Sequence, residues 1–286
     1  MTNIAIVGPG AVGCTIAHDL LPNFPSLALL GRREQKLTYE EDQEPHTITH
    51  LNVSSIYQHN SKVDILFIAV KIPQLDEVIK ELQHLIHKDT IIILAQNGTG
   101  QLSRIPHKHA YQAVVYISGQ KQEQIVTHFR DHKILLQDSK HTRALCDLFS
   151  NTKLEISLVE DINQAIWYKL LVNLAINTVT ALTRQSAKVL KIDGIELLCK
   201  RLLTEGIEIA KVEGANFDKN IIDEIMDIYR GYPDHMGTSM YYDIIAGNAL
   251  EIEGIQGFLY RKAHEHKLFT PTLDTIYPLL LAQQKH

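Results

Sequence analysis

The segment IWYKLLVNLAINTVTAL, residues 166–182, carries Lys169, Asn173 and Asn177 at intervals of four within an otherwise apolar run. On a helix that turns by about 100° per residue, these side chains advance by only about 40° each and form one stripe, with Thr180 inside the same arc. A solvated stripe is the simplest alternative, but asparagine is a poor helix former and gains little in mid-helix. If the stripe were buried without partners, each amide would cost about 1–3 kcal/mol. We therefore expect it to line a cleft that holds a polar ligand.

The ammonium group of Lys169 suits the reduction of a ketone. Such a reduction needs a hydride and a proton for the developing alkoxide, and an ammonium supplies the proton together with electrostatic stabilisation. A nearby carboxylate would keep the lysine charged and bind a substrate hydroxyl. The candidate carboxylates lie in GTSMYYDIIAGNALEIEGIQGF, residues 237–258, and are Asp243, Glu251 and Glu253. Ser239, in the same segment, could hydrogen-bond a carboxylate substrate.

A second chemical motif begins at the third residue, where NIAIVGPGAVGCTIAHDL combines a predicted strand, a glycine loop and a predicted helix. Gly8 allows a tight turn, Gly10 lets the backbone approach a pyrophosphate, and Gly13 permits close helix–strand packing. The N–H groups at the helix start, around Ala11 and Val12, then face the anion. A glycine loop can also be an ordinary turn, but the strand before it and the helix after it favour dinucleotide binding.

The end of the second predicted strand indicates which dinucleotide is bound. NAD sites usually offer an acidic residue there to the ribose hydroxyls, whereas NADP sites offer arginine to the 2′-phosphate. In LALLGRREQ, Arg32 and Arg33 follow the strand directly, and guanidinium is the better planar partner for phosphate. Glu34 is the competing signal for NAD. We predict NADPH as the cofactor, with Arg32 as the contact and Arg33 either a second contact or a solvated neighbour.

Polar residues also follow the third and fourth apolar runs. LFIAVKIPQ places Lys71 past one run, and IIILAQNGTG places Gln96, Asn97 and Gly98 past the next. In open α/β sheets, ligands bind outside the carboxyl ends of the strands. Taken singly, these residues could be a surface lysine and an ordinary turn. Together with the glycine loop, we predict that Lys71 and Asn97 are binding residues on one sheet edge.

Short apolar, β-branched runs predict the strands that carry these loops, at Ile4–Val7, Leu27–Leu30, Val63–Val70, Thr90–Leu94, Ala113–Ile117 and Ile156–Val159. Helices are predicted between several of them, at Ala11–Leu21, Pro73–Ile86 and Thr142–Ser150. Continuous runs such as VDILFIAV are typical of strands covered on both faces, which predicts an α/β fold with a doubly wound parallel sheet of the Rossmann type. The polar segment 36–59 predicts short edge strands or loop instead of a crossover helix.

From about Glu160 the pattern changes to helical spacing, with apolar periodicity through residues 166–182, 192–212, 221–229, 240–245 and 252–263. We therefore predict two domains that meet near Asp161. Residues 1–160 would form an NADP-binding Rossmann domain, and residues 161–286 an all-α substrate-binding domain.

The composition indicates an ordinary globular protein. With 286 residues, 45% hydrophobic content and a formal charge of −5, the chain can form two domains and has no basic excess that would indicate nucleic acid or an anionic membrane as a partner. Three separated cysteines predict neither a disulfide framework nor a cysteine zinc site. The N-terminal apolar run is interrupted by Gly8, and we expect no membrane span and a cytoplasmic protein.

Fifteen histidines include the pairs His107/His109 and His264/His266, which raise the question of a metal site. A His-x-His pair places two imidazoles on one side of a strand, but neither pair has a nearby carboxylate or cysteine cluster to complete a site. We expect solvated surface histidines and no metal.

Together these features resemble the ketopantoate reductase (2-dehydropantoate 2-reductase) family over nearly the whole chain. The motifs that carry the resemblance are, in chain order, GPGAVG at the start, VK at Lys71, QNG at Asn97, WYKLLVNLAIN around Lys169, TSMYYD around Ser239 and EIEGIQGFL from Glu251. The resemblance implies a Rossmann domain followed by a helical domain with the active site between them. It also implies NADPH-dependent hydride transfer that converts 2-ketopantoate to pantoate, a precursor of pantothenate and coenzyme A.

The resemblance further implies roles for individual residues. Lys169 matches the family's general acid, Glu251 its partner that binds the substrate hydroxyl, and Asn97 the asparagine between nicotinamide and substrate. Positions of the substrate pocket and its support are matched by Asn173, Asn177, Ser239 and Asp243, and positions near the adenosine phosphate by Arg32 and Lys71.

The chain also departs from the family pattern. Members often carry Pro-Leu where this chain has Thr178-Val179, and an arginine and a threonine where it has Asn248 and Leu250. Two alternatives therefore stay open: a related NADP-dependent reductase of another 2-keto acid, and a non-catalytic NADP-binding sensor. The joint retention of Lys169, Asn173 and Glu251 argues against a sensor, which has no need of an acid. The oligomeric state stays open, with a homodimer as one possibility.

Overall fold

The computed structural model describes residues 2–42 and 48–284, so the part of the expectation for segment 36–59 that falls on residues 43–47 lies outside the described residues. The chain divides into two compact units, Met1–Ile162 and Asn163–His286. A cofactor role for the first unit and a substrate role for the second stay predictions.

The first unit is built on a nine-stranded sheet with a parallel centre. Its strands are β1 (Ile4–Val7), β2 (Ala28–Gly31), β3 (Gln35–Glu41), β4 (Ile48–Ser55), β5 (Val63–Ile68), β6 (Ile86–Leu94) and β7 (Ala110–Gln112), followed after β8 (Val114–Val115) by β9 (Ser118–Gln122) and β10 (Ile125–Arg130). The strand order is β7-β6-β5-β1-β2-β4-β3-β10-β9. All neighbours from β7 to β4 pair in parallel. A smaller sheet has the order β12-β11-β8, with β11 at Lys133–Gln137 and β12 at Glu155–Val159.

Helices cover both faces of the parallel strands. Along β1, Ile4 and Ile6 pack in one apolar cluster with α1 (Ala11–Leu20) and α3 (Lys140–Phe149). Ala5 and Val7 belong to a separate cluster that includes α2 (Leu75–Leu85). Because successive strand residues point to opposite faces, a β1 strand that is apolar at every position can be buried on both sides. The predicted α/β fold class is confirmed.

The structure adds strands that the sequence patterns did not indicate. The hairpin β9–β10 and the strand β11 were not predicted, and the predicted strand 113–117 is reduced to Val114–Val115. Strands within 36–59 are confirmed by β3 and β4, which pair in antiparallel fashion, but their expected edge position is wrong, because β10 and β9 extend the sheet beyond them. β10 pairs in parallel with β3 and antiparallel with β9. This side of the sheet thus adds β3 and β10, which run opposite to the parallel centre, and the polar edge strand β9.

The described elements of the second unit are helical, as predicted. They are α4 (Ile162–Thr183), α5 (Ile195–Val212), α6 (Ile221–Arg230), α7 (Ser239–Ala246), α8 (Gln256–Glu265) and α9 (Pro271–Gln283), of which α9 was not predicted. α5 packs closely on α4, because a Cβ at Gly206 would lie 2.8 Å from the Cδ2 atoms of Leu171 and Leu174. The buried Tyr229 hydroxyl donates to the Val172 carbonyl over 2.8 Å.

α4 is the central helix of this unit. Its 22 residues and hydropathy of 1.3 meet the length and composition of a membrane span, but 67% of the apolar window is buried within the protein. Burial of this kind is typical of the core helix of a globular unit.

Candidate functional site

The glycine loop between β1 and α1 has the geometry that its sequence predicts. Gly8 adopts a positive φ of 112°, and its N–H donates to the Leu30 carbonyl over 3.0 Å. A Cβ on Gly13 would lie 2.0 Å from the Gly8 carbonyl oxygen, whereas a Cβ on Gly10 would meet no atom within 4 Å. Gly8 and Gly13 are therefore required for packing, and Gly10 leaves open space beside the backbone.

The open side of Gly10 coincides with the start of α1. Gly10 is the N-cap of the helix, which has no side-chain cap and no acidic residue in its first turn. The first-turn N–H groups, around Ala11 and Val12, have no intrahelical acceptors and carry the positive end of the helix dipole. This arrangement fits the pyrophosphate of a dinucleotide, and no side chain of the first turn repels that charge.

Four neighbouring strands bring the other predicted cofactor residues to the same edge. β6, β5, β1 and β2 are adjacent and parallel, so the residues after their carboxyl ends line one side of the sheet. These residues are the glycine loop, Arg32 and Arg33, Lys71 and Asn97. The order of connections reverses between β1 and β5, which is where open α/β sheets bind their ligands.

Hydrogen bonds fix the loops at this edge. Gln96, which is 4% exposed, donates from Nε2 to the Val70 carbonyl over 2.6 Å and so ties the loop after β6 to the loop after β5. The next residue, Asn97, is half-buried, and Gly98 follows it with a φ of 81°. Lys71 is half-buried at the start of a short 3-10 turn, Ile72–Gln74. The polar side chains are thus carried on well-defined loops.

The end of β2 touches the glycine loop. A Cβ at Gly31 would lie 3.0 Å from Cγ of Pro9, and the exposed residues Arg32 and Arg33 follow immediately. Within residues 2–42 and 48–284, neither arginine is ion-paired with a carboxylate. Both guanidinium groups are therefore available to an anion.

A cation that sequence reasoning missed lies beside the same loop. Lys121, on β9, donates from Nζ to the Pro9 carbonyl over 2.9 Å. Burial lowers the pKa of Lys121, the nearby Cys14 acts in the opposite direction, and the Arg33 guanidinium lowers it further. β9 lies against the start of α1: a Cβ at Gly119 would be 3.3 Å from the Cβ of Ala11. The only sequence signal was a lysine in a polar stretch, which does not reveal that β9 returns to the glycine loop.

In the second unit, the polar stripe lies on α4 as predicted and is deeply set. Lys169 and Asn173 are half-buried, and Asn177 is 3% exposed. Across the part of the chain that the structure describes, the Asn177 amide makes no side-chain hydrogen bond. Its amide atoms are not among the fully buried atoms that lack a partner, so water or a ligand can reach them and avoid the cost of about 1–3 kcal/mol that an unsatisfied buried amide carries. The stripe is therefore not a solvated face along its whole length.

Helix α7 is anchored to the polar stripe of α4. Thr180 bonds through Oγ1 to Oγ1 of Thr238 over 2.8 Å, and Thr238 caps α7 by accepting from the Tyr241 N–H. Ser239 is the first residue of α7 and is exposed, and Asp243 is half-buried one turn later on the same face. The structure thus brings the predicted substrate residues of α7 next to the stripe of α4.

The three candidate carboxylates differ in their surroundings. Glu253 is committed elsewhere: it forms an ion pair with Arg261 and accepts a 2.8 Å hydrogen bond from the Tyr277 hydroxyl. Glu251 is half-buried and precedes a 3-10 turn, Ile252–Gly254. Asp243 and Glu251 therefore remain the candidates for a partner of Lys169.

The departures from the family pattern have structural settings. Thr178 is fully buried; its Oγ1 donates to the Leu174 carbonyl over 2.6 Å and accepts from Gln256 Nε2 over 3.0 Å. It lies about 180° around α4 from Lys169, given 100° per residue. Leu250 is 4% exposed, whereas Asn248 is exposed. Thr178 and Leu250 thus serve packing, and Asn248 stands at the surface.

Comparisons with known proteins agree with this geometry. Residues 4–140 match the family described as "Ketopantoate reductase PanE/ApbA", and residues 161–284 match "Ketopantoate reductase PanE/ApbA C terminal". The 2-dehydropantoate 2-reductase of Mycobacterium tuberculosis (strain CDC 1551 / Oshkosh) is 31% identical over 288 residues, or 98% of this chain and 97% of that protein. A solved structure of a dimeric ketopantoate reductase from Staphylococcus aureus has a TM-score of 0.95 at 50% identity, covering 99% of this chain and 98% of the other.

A more distant neighbour shares the fold alone. D-mandelate dehydrogenase, solved with NADH and anilino(oxo)acetate, has a TM-score of 0.86 at 22% identity and covers 99% of this chain and 98% of its own. The fold, the glycine loop and these similarities define an NAD(P)-dependent oxidoreductase. More specifically, the chain belongs to the ketopantoate reductase family, which confirms the resemblance seen in its motifs.

Proposed function

We propose that the protein reduces 2-ketopantoate to pantoate with NADPH. The observation that carries the proposal is the stripe of α4, where the half-buried Lys169 shares a helix face with the buried residue Asn177, whose amide makes no hydrogen bond within the described residues. NADPH, when bound, supplies a hydride to C2 of the keto acid. Lys169 donates the proton that the resulting alkoxide oxygen requires, and solvent then reprotonates the lysine. The hydride and the proton together convert the ketone to a secondary alcohol.

The remaining polar residues would bind and orient the keto acid. Glu251 accepts a hydrogen bond from the substrate hydroxyl, and Asn173 and Asn177 offer amide groups to substrate oxygens. Ser239 donates to the carboxylate, with Asp243 supporting this end of the pocket. Asn97 would contact the nicotinamide. Each role is taken from the match with the family motifs and stays a proposal.

The choice of NADPH over NADH rests on three cations near the glycine loop. Arg32 and Arg33 follow β2, where a 2′-phosphate is bound in sites of this type, and Lys121 lies within the electrostatic range of Arg33. Bringing like charges together costs free energy unless an anion offsets it. A 2′-phosphate held by Arg32, Arg33 and Lys121 would provide that anion, and NADH cannot. Lys71 would lie near the adenosine phosphate.

The biological setting follows from this activity. Pantoate formation would place the enzyme in pantothenate and coenzyme A biosynthesis, in the cytoplasm. The homologous Staphylococcus aureus enzyme is described as dimeric, and we propose a homodimer for this chain as well.

Substitution of Lys169 tests the proposed mechanism. Lys169→Ala should lower kcat by about 10²- to 10⁴-fold, the usual contribution of a positioned general acid, while the Kd for NADPH changes little. Lys188→Ala is the matched control, because Lys188 is an exposed lysine of the same unit. Normal turnover of Lys169→Ala would refute its role. Unchanged NADPH oxidation rates with and without every keto acid offered would instead favour a non-catalytic sensor.

A reductase of another 2-keto acid is the second candidate. The D-mandelate dehydrogenase neighbour shows that this fold can act with NADH and a different acid. A comparison of kcat/KM for 2-ketopantoate with that for other branched 2-keto acids decides between the two. A kcat/KM at least tenfold higher for another 2-keto acid would change the proposed substrate but not the proposed class of reaction.

A further inference from the structure

A cluster of ionisable side chains lies at the far edge of the sheet from the glycine loop. The Asp19 carboxylate, near the end of α1, is fully buried and accepts from His132 Nδ1 over 2.8 Å and from His18 Nδ1 over 3.1 Å. His132 follows β10, and Glu41 is the last residue of β3. Because β3 and β10 run opposite to β1, their carboxyl ends lie at the amino edge of the parallel strands. The cluster is therefore separate from the cofactor site.

In their neutral forms, His132 and His128 each keep one ring nitrogen as an acceptor. A carboxylate only accepts, so His132 must donate from Nδ1 to Asp19, which leaves Nε2 with a lone pair at 3.8 Å from Glu41 Oε1. His128 is bonded through Nε2 to the Asp131 carbonyl over 2.9 Å, which likewise leaves its Nδ1 with a lone pair. The two rings lie 4.2 Å apart by their centroids. The neutral histidines thus carry defined tautomers.

We propose that Glu41, His128 and His132 bind a divalent transition-metal ion, with Zn²⁺ as the best match. One potential ligand atom from each residue lies within 4.8 Å of the other two. Two imidazoles and one carboxylate are a common Zn²⁺ ligand set, and water completes the tetrahedron. Asp19 is the positioning residue, because a carboxylate on the far nitrogen of a ligating histidine orients the ring and raises its basicity.

Metal binding requires a contraction of this cluster, whose three ligand atoms lie within 4.8 Å of one another. Ligand bonds of about 2.0–2.2 Å in a tetrahedron place neighbouring ligand atoms roughly 3.3 Å apart, against 3.8 Å between His132 Nε2 and Glu41 Oε1. Lys153, whose Nζ lies 3.1 Å from the same Glu41 oxygen, has a side chain that is 55% exposed and can withdraw into solvent. The ion would connect α1, β3 and β10 and would act on stability.

The two histidine pairs noted in the sequence do not provide such a site. His266 is already ion-paired with Glu213 over 2.6 Å, and His264 bonds to the Tyr260 carbonyl over 2.9 Å. His109 packs against His141 with ring centroids 4.2 Å apart and the ring planes inclined by 60°. Among the residues that the structure describes, no carboxylate completes a group of three at either pair.

Zn²⁺ titration of the full-length protein against a chromogenic chelator tests the proposal. We expect one Zn²⁺ per chain, a rise in Tm with added Zn²⁺, and visible absorption bands of tetrahedral Co²⁺ when Co²⁺ is used instead. His132→Gln and Glu41→Gln should each weaken Zn²⁺ binding by at least tenfold, and Asp19→Asn by about 10- to 100-fold. His109→Gln is the control and should leave the affinity unchanged.

Several results would overturn the proposal. One is the absence of Zn²⁺ binding at micromolar concentrations, and another is a stoichiometry that His132→Gln does not alter while His109→Gln abolishes it. If His132→Gln fails to fold, Glu41→Gln decides, because that side chain is of equal size and 15% exposed in the parent. Zn²⁺ affinity that is unchanged in folded Glu41→Gln would exclude the carboxylate and with it the site.

Discussion

Replacement of Lys121 by methionine tests whether the unanticipated cation beside the glycine loop reads the 2′-phosphate. Methionine keeps the length and apolar character of the side chain but removes the ammonium that bonds to the Pro9 carbonyl over 2.9 Å. In the protein without cofactor, the change removes both the cost of burying the charge and its repulsion from Arg33. It also removes one hydrogen bond, worth about 1 kcal/mol. These effects oppose each other, so Tm should change by no more than about 4 °C.

The effect on NADPH should be much larger. A hydrogen bond to a charged group contributes about 1.5–3 kcal/mol, and about 1.4 kcal/mol corresponds to a factor of ten in affinity. The KM for NADPH should therefore rise roughly 10- to 150-fold. NADH lacks the 2′-phosphate, so its KM should change by less than about twofold if Lys121 contacts only that group.

Initial rates with each cofactor at saturating keto acid provide the measurement. Lys62→Met is the matched control, because Lys62 is exposed and precedes β5 at the opposite edge of the sheet; it removes the same charge without touching the loop. Equal increases in KM for NADPH and NADH would assign Lys121 to the pyrophosphate and contradict the 2′-phosphate interpretation. An unchanged KM for both would remove Lys121 from the cofactor site.

Three further predictions follow from single residues. Arg32→Ala should raise the KM for NADPH at least tenfold more than that for NADH; equal effects would contradict a 2′-phosphate contact. Gly10→Val should weaken NADPH binding at least tenfold with little loss of stability, because a Cβ there meets no protein atom within 4 Å; fluorescence titration measures the Kd, and an unchanged value would refute the approach of the cofactor to this glycine. Gly206→Val should lower the free energy of unfolding by about 1–3 kcal/mol through overpacking against Leu171 and Leu174, measured in urea. The control Gly231→Ala should not lower the free energy of unfolding, because a Cβ there would meet no atom closer than 3.4 Å. Equal losses in the two variants would refute the packing argument.

The centre of the fold was predictable because its strands are buried on both faces. β1 is a continuous apolar run, and so are the carboxyl-terminal parts of β5 (Ile65–Ile68) and β6 (Ile91–Leu94), as expected for strands covered on both faces. The hairpin β9–β10 has no such signal, since SGQKQ is polar and lies at the sheet edge. Its place beside β3 depends on contacts between residues 87 positions apart, such as Thr127 with Glu40. Local patterns carry no information about such pairings.

The same distinction applies to the site residues. The stripe of α4 follows from helical periodicity alone, and the glycine loop from local backbone requirements, so both could be located in the sequence. Lys121 and the group around Asp19 could not be, because each depends on strands that return from distant parts of the chain. His128 and His132 carry an ordinary i, i+4 spacing, and only the fold brings Glu41 to them.

Transfer of deuterium from cofactor to product tests the central claim most directly. The purified protein would be incubated with 2-ketopantoate and NADPH that carries two deuterium atoms at C4 of the nicotinamide, and the product analysed by mass spectrometry and NMR. The proposed reaction predicts pantoate that is one mass unit heavier, with deuterium at C2. The absence of pantoate, or pantoate with only hydrogen at C2, would contradict direct hydride transfer to 2-ketopantoate by this protein.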